Sequence, residues 1–208
     1  MIEILLTILV AVVPAVVLHE CAHGWVANFL GDPTAKNAGR LTLNPLKHVD
    51  PVGTVIIPGI LFLLYFTGVN KTLMLFGWAK PVPVDFTKFK NPRRDMVWVA
   101  LAGPMVNIIL AYTIAQVMTF ALPDGLKMVL FHAVLINLAL AVFNLMPIPP
   151  LDGGRIVTGL LPSALSREFA KLETIGFILV LVLLNLGLLN FLYPAIEFFL
   201  YLFKVQIP

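Results

Sequence analysis

Long apolar runs constrain the fold of this chain more than any other feature. Residues 4–30, 96–122 and 127–146 each hold about 20 residues or more, the length that a helix needs to cross a bilayer. In lipid every backbone N–H and C=O group must find a partner inside the protein, and a helix achieves this within one segment. The sequence therefore predicts an all-α polytopic membrane protein.

Composition supports this class and argues against a nucleic-acid partner. The chain is 60% hydrophobic and 12% charged, whereas soluble domains average about 45–50% and about 25%. The net charge is only +3, and the lysines and arginines fall in short segments between apolar runs, which is typical of membrane topology signals. We therefore expect the lipid bilayer, and not a nucleic acid, to surround the chain.

The basic segments also predict a topology. Residues 36–50, 80–95 and 155–171 carry most of the cationic side chains, and the positive-inside rule places all three on the cytoplasmic side. Residues 52–77 must then cross the membrane an even number of times, as a hairpin or a re-entrant element. Residues 172–203 are too long for one span and suit a hairpin of two short ones. The prediction is about five to six transmembrane or re-entrant helices.

An HExxH motif lies in the last turns of the first apolar run, where charge is unexpected. On a helix His19 and His23 share a face and can bind one metal ion together. Glu20 would then lie beside the ion, where its carboxylate can act on a metal-bound water. The alternative is a chance match. An ionisable residue within a membrane helix costs about 2.5–3.5 kcal/mol, so an idle glutamate there is improbable. Cys21 points away from the imidazoles and is interpreted as a packing residue.

Catalytic zinc usually has three protein ligands and a water, so a third ligand is needed. Asp152 follows a proline-rich segment that ends the preceding helix, and Gly153 and Gly154 come directly after it. The predicted topology places it at the same depth in the membrane as the HExxH motif. It is a candidate ligand, and the alternative is a turn aspartate. His48, in a charged loop, is interpreted as a surface residue. His132, at the opposite end of its helix, is interpreted as a packed or interfacial histidine.

At these residues the sequence resembles the site-2 protease family, the intramembrane zinc metalloproteases. The resemblance covers about residues 14–160, and segments 39–45 and 77–84 are similar to a compact prokaryotic subgroup without a PDZ or CBS domain. The matching motifs are His19-Glu20-Cys21-Ala22-His23, Gly103-Pro104 with Asn107, and the run NLMPIPPLDGG at 144–154.

The resemblance implies a site and its chemistry. It makes Glu20 the general base and Asn144 the candidate for holding the substrate carbonyl or oxyanion; the alternative for Asn144 is capping the end of its helix. For Asn107 a functional role and a helix–helix hydrogen bond stay open. The implied ligands of one zinc ion are His19, His23 and Asp152.

The expected function is hydrolysis of peptide bonds within or near transmembrane segments of membrane proteins or peptides. We expect one protease domain over 1–208, with a catalytic core at about 4–160 and a helical hairpin at about 172–203. A small β-like loop at 39–46, alternating in hydrophobicity, is a hypothetical edge for an extended substrate, or else a structural hairpin.

The expected location is the plasma membrane of a prokaryote, with several spans and the active site toward the cytoplasm. The alternatives to a protease are a metal-ion transporter and a non-catalytic, metal-bound membrane scaffold. The sequence assigns no oligomeric state.

Overall fold

The computed structural model of the chain describes residues 2–68, 77–185, 190 and 192–205, and among these the secondary structure is helical, without a strand. Helix α1 spans Ile2–Phe29 and is followed by the single turn α2, Thr34–Asn37. The later helices are α3 (Ile57–Phe66), α4 (Pro92–Val117), α5 (Asp124–Asn144), α6 (Asp152–Leu160), α7 (Ser163–Ala170), α8 (Glu173–Asn185) and α9 (Tyr193–Leu202).

Three of the described helices are long and apolar enough to cross a membrane: Val10–Phe29 within α1, α4 and α5. They coincide with the three apolar runs, so the prediction of a helical membrane protein is confirmed. Helix α4 begins before its apolar run because Pro92 suits the first helical position, where an N–H would have no partner. The Asp95 side chain then accepts the backbone N–H of Asn91 at 3.0 Å and closes this helix end.

Small side chains allow these helices to approach one another closely. Helix α4 packs against α1, α5 and α6, and α1 also packs against α5. Within a bilayer, helices associate through close van der Waals contact, which small residues permit. The buried small residues include Ala15, Cys21 and Ala27 on α1, Ala100, Ala111 and Ala115 on α4, and Ala133 and Ala141 on α5.

The segment between α1 and α4 differs in part from its prediction. The β-like loop at 39–46 is not confirmed, since turns and bends occupy it before the 3-10 turn Pro45–His48. The next segment starts as a π-helical turn, Pro51–Ile56, and continues as α3, whose apolar side chains are largely exposed. Residues 69–76 lie outside the described residues, so the even number of crossings at 52–77 stays a prediction.

Helix α6 folds back onto the end of α5. A Cβ atom at Gly153 would lie 2.2 Å from the Leu145 carbonyl oxygen, and one at Gly154 would lie 2.4 Å from the Pro149 nitrogen. Only glycine permits such an approach. The glycine pair therefore lets α6 start directly beneath the end of α5, with Asp152 as its first residue.

Helices α8 and α9 occupy the 172–203 segment, for which the sequence predicts two short spans; residues 186–189 and 191, between them, lie outside the described part. A Cβ atom at Gly176 would approach the Pro149 carbonyl oxygen to 1.7 Å, so α8 lies against the loop that leads into α6. After α9, Phe203 packs into the core formed with Val134 and Leu138.

Candidate metal centre

The two histidines of the HExxH motif lie one turn apart on α1 and face the same way. Their ring centroids are 4.7 Å apart, and each residue is only 7% exposed. Two imidazoles buried this deeply need hydrogen-bond partners. Helix α4 supplies them.

Each imidazole is held through its Nδ1 atom. His23 Nδ1 lies 2.7 Å from the Val99 carbonyl oxygen, and His19 Nδ1 lies 2.6 Å from Asn107 Oδ1. A carbonyl oxygen can only accept, so His23 Nδ1 carries a proton, and in the neutral ring the bare lone pair is then at Nε2. His19 has the same arrangement with the amide oxygen of Asn107. Both Nε2 atoms are thus in the form that binds a metal.

Asp152 brings its carboxylate to the same point. Its Oδ2 atom lies 3.1 Å from His19 Nε2 and 3.3 Å from His23 Nε2, and it has no hydrogen-bond partner among the described residues. When both rings are neutral, three lone pairs converge with no proton between them, and they repel one another unless a cation lies there. Ligands about 2.0–2.1 Å from a tetrahedral zinc ion are about 3.3 Å apart, so this donor set fits zinc.

Helix α4 also makes room for the imidazoles. Val99, Gly103 and Asn107 recur every fourth residue and so share one face of the helix. A Cβ atom at position 103 would lie 2.5 Å from the Nε2 atoms of both histidines. The same helical face therefore supplies two acceptors and, between them, the space for two rings.

Glu20 lies beside the centre, where the 77–84 segment holds it. Its Oε2 atom accepts the backbone N–H of Val82 at 2.9 Å. Val82 stands between Pro81 and Pro83, which have no N–H and restrict the backbone. One carboxylate oxygen is thus held by a segment whose backbone the prolines restrict. The other oxygen is the one that the prediction of a general base requires to accept a proton.

A cavity of about 260 Å³ opens onto this arrangement. Its lining includes His19, Glu20 and Asn144, together with apolar side chains from α1, α5 and α8. A larger hollow of about 440 Å³ beside α9 shares no lining residue with it. The cavity is therefore lined by Glu20, which is the predicted base, and by His19 and Asn144, within a mostly apolar surface.

Asn144 lines that cavity, but its amide is bonded within its own helix. Its Nδ2 atom donates to the Leu140 carbonyl oxygen at 3.0 Å, the helix-end contact named as its alternative. Its role toward a substrate stays a prediction. Asn107, in contrast, makes helix–helix hydrogen bonds to α1 and α5.

The structure corrects the prediction for His48 and places His132 away from the metal centre. His48, predicted at the surface, is only 3% exposed, because its loop folds back onto α1. Its Nε2 atom lies 2.9 Å from the Thr42 carbonyl oxygen and 3.8 Å from Cys21 Sγ. Cys21 is fully buried, as expected of a packing residue. His132 is exposed and contacts the carbonyl of Met128 on its own helix.

Sequence reasoning missed Asn137. It is 2% exposed, and its Oδ1 atom accepts from Asn107 Nδ2 at 2.9 Å. A signal was present, since Asn137 and Asn144 are polar residues seven positions apart on one face of an apolar helix.

Known proteins resemble the chain along most of its length. The family described as peptidase family M50 matches residues 119–188, which contain Asn144 and Asp152. "Putative zinc metalloprotease YwhC" of Bacillus subtilis is 39% identical over 186 residues, 85% of this chain and 78% of that protein. "Putative zinc metalloprotease Rip2" of Mycobacterium tuberculosis is 30% identical over 188 residues, 88% and 68% of the respective lengths.

A shorter match links the chain to "Zinc metalloprotease RasP" of Shouchella clausii, at 42% identity over 65 residues, 29% of this chain and 16% of that protein. No solved structure matches the chain.

Proposed function

Because this chain belongs to peptidase family M50, the site-2 protease family of intramembrane zinc metalloproteases, we propose that its buried His–His–Asp cluster is the zinc centre and Glu20 the general base. The observation that carries the assignment is the convergence of Asp152 Oδ2 with the Nε2 atoms of His19 and His23 at 3.1 and 3.3 Å. The family membership favours a protease over the transporter and scaffold alternatives.

When bound, zinc supplies Lewis acidity, which lowers the pKa of a water and polarises the scissile carbonyl. Glu20 accepts a proton from the attacking water as its oxygen bonds to the carbonyl carbon, and returns a proton to the amine as the C–N bond breaks. The hydrogen bond from Val82 N–H to Oε2 keeps the carboxylate in one orientation through both transfers.

Asn144 is the proposed donor to the substrate carbonyl. Asn144 lines the cavity. Its amide has two N–H groups, and one of them donates to the Leu140 carbonyl oxygen. The second N–H does not take part in that bond and is the one proposed to stabilise developing negative charge on the carbonyl oxygen.

The substrate is a transmembrane segment of another protein. Helical segments bury their carbonyls in hydrogen bonds, so the segment must unwind or be held extended before attack. A mostly apolar cavity suits the side chains of such a segment. Segment 39–46 remains a hypothetical surface for pairing with it.

The proposed location is the plasma membrane of a prokaryote, with the centre toward the cytoplasm. HExxH lies in the second half of α1, before the basic 36–50 segment, and Asp152 lies just before the basic 155–171 segment. Both parts of the site thus lie near segments that the positive-inside rule assigns to the cytoplasm. The three long helices with short spans at α8 and α9 make five, and a re-entrant element at 52–77 makes six.

The test compares wild type with Glu20→Gln, both co-expressed with candidate single-span proteins. We expect Glu20→Gln to bind zinc with wild-type stoichiometry and to lose cleavage, because an amide cannot accept the proton. His23→Ala should lose both. Glu168→Gln makes the same chemical change at an exposed position of α7 and should behave as wild type. Full cleavage by purified Glu20→Gln would refute the mechanism.

A further inference from the structure

The amide of Asn107 has a partner for each of its polar atoms. Its Oδ1 atom accepts from His19 Nδ1 at 2.6 Å, and its Nδ2 atom donates to the Ala15 carbonyl oxygen at 3.1 Å and to Asn137 Oδ1 at 2.9 Å. Asn107 is fully buried, and Asn137 is 2% exposed. A polar chain thus connects α1, α4 and α5 behind one of the imidazoles.

The direction of this amide decides which nitrogen of His19 carries the proton. In the observed direction the amide oxygen faces His19 and requires a proton on Nδ1, so that Nε2 is bare in the neutral ring. If the amide were reversed, its NH2 group would face Nδ1, which would have to be bare. The proton of the neutral ring would then sit on Nε2, and His19 could not bind a metal.

Asn137 opposes that reversal from α5. Its Oδ1 atom can only accept, and its own direction is set because its Nδ2 atom donates to the Ala133 carbonyl oxygen at 2.8 Å. A reversed Asn107 would place its oxygen against two acceptors, Ala15 O and Asn137 Oδ1. Both amides are buried, and at such depth these contacts are strongly unfavourable.

We propose that Asn137 is a positioning residue of the metal centre, acting through Asn107 to hold His19 with its Nε2 lone pair directed at zinc. Asn137 lies on α5 and belongs neither to the donor cluster nor to the residues that line the cavity. The proposal rests on the assignment of His19 as a zinc ligand. Partners of metal-bound histidines typically contribute 10–100-fold to metal affinity.

The test is a double-mutant cycle on metal affinity, which isolates coupling between two residues. Asn137→Leu, Asn107→Leu and the double variant are purified, stripped of metal and titrated with zinc against a competing chelator. The absorption of bound cobalt reports coordination geometry in the same samples. Thr113→Val is the control, since it removes a hydrogen bond from a side chain to its own helix on an exposed face of α4.

We expect Asn137→Leu to weaken zinc binding about 10–100-fold and to change the cobalt spectrum, with Thr113→Val unchanged. The double variant should bind zinc as weakly as Asn107→Leu alone, because Asn137 acts only through Asn107. Wild-type affinity in Asn137→Leu would overturn the proposal. So would losses that multiply in the double variant, since an independent structural role predicts that outcome.

Two further variants keep the result interpretable. If Asn137→Leu fails to accumulate, Asn137→Ala removes the same acceptor without added bulk and carries the same expectations. His23→Ala separates this inference from the proposed function. If His23→Ala still binds zinc as wild type, the assignment of the centre fails, and the inference fails with it. If zinc binding depends on His23 but not on Asn137, the inference alone is overturned.

Discussion

Adding one methyl group at Gly103 should disable the metal centre. A Cβ atom there would lie 2.5 Å from the Nε2 atoms of His19 and His23, whereas ordinary van der Waals contact begins at 3.4 Å. The rings would have to retreat by about 0.9 Å. They are not free to do so, because Asn107 and Val99 hold their Nδ1 atoms.

The size of the effect follows from the tolerance of zinc coordination. Ligand distances in zinc sites stay within about 0.2 Å of their preferred values, several times less than the required displacement. Changes that merely disturb the partner of one ligand cost about 10–100-fold in affinity. Gly103→Ala displaces two ligands at once, so we expect a loss of at least about 100-fold, or about 2.8 kcal/mol.

The assay is competitive zinc titration of purified, metal-stripped protein in detergent. Gly125→Ala is a matched control, since it makes the same substitution within α5 at a position with nothing within 4 Å. Alanine gains about 1 kcal/mol of helix propensity in the helix interior at Gly103 and less in the first turn at Gly125, so the variants are compared by zinc affinity and not by stability. Wild-type zinc affinity in a folded Gly103→Ala variant would refute the reasoning.

Two other changes test parts further from the ligands. Asn144→Ala should keep zinc affinity within about threefold but lower kcat about 10²-fold, as expected for a lost oxyanion donor; unchanged kcat would restrict Asn144 to its contact with Leu140. Burial would raise the pKa of Asp32, but hydrogen bonds from Thr34 and Asp85 and the nearby Lys88 ammonium hold it below its usual value. This stabilisation is present above about pH 3.9 and lost as the pH falls through the folded-state pKa. Asp32→Asn should therefore lower the unfolding temperature at pH 7 but not near the pKa of the folded state, and a deficit independent of pH would contradict this.

The sequence predicted the features that depend on spacing along one helix or on depth in the bilayer. The four-residue spacing of His19 and His23 places both rings on one face, whatever surrounds them. Counting apolar spans predicts that Asp152 lies at the same depth in the bilayer as the two histidines. The structure places its carboxylate beside both rings. These inferences need only helix geometry and a membrane of known thickness.

Features that depend on contacts between distant segments were not accessible in this way. His48 looked exposed because its neighbours in the chain are charged, and only the return of its loop to α1 buries it. An asparagine in an apolar helix, such as Asn137, indicates a buried hydrogen-bond partner but does not identify it. The partner follows from the register of α5 against α4, which periodicity does not determine.

The donor atoms of the centre come from the first helix and from α6, which begins only after α5 has ended. A bound cation therefore acts as a cross-link between the two ends of the catalytic core. A ligand that binds only the folded form stabilises it by about 4.1 kcal/mol at a thousand times its Kd. When zinc is removed, the amides of α6 should therefore exchange with solvent sooner.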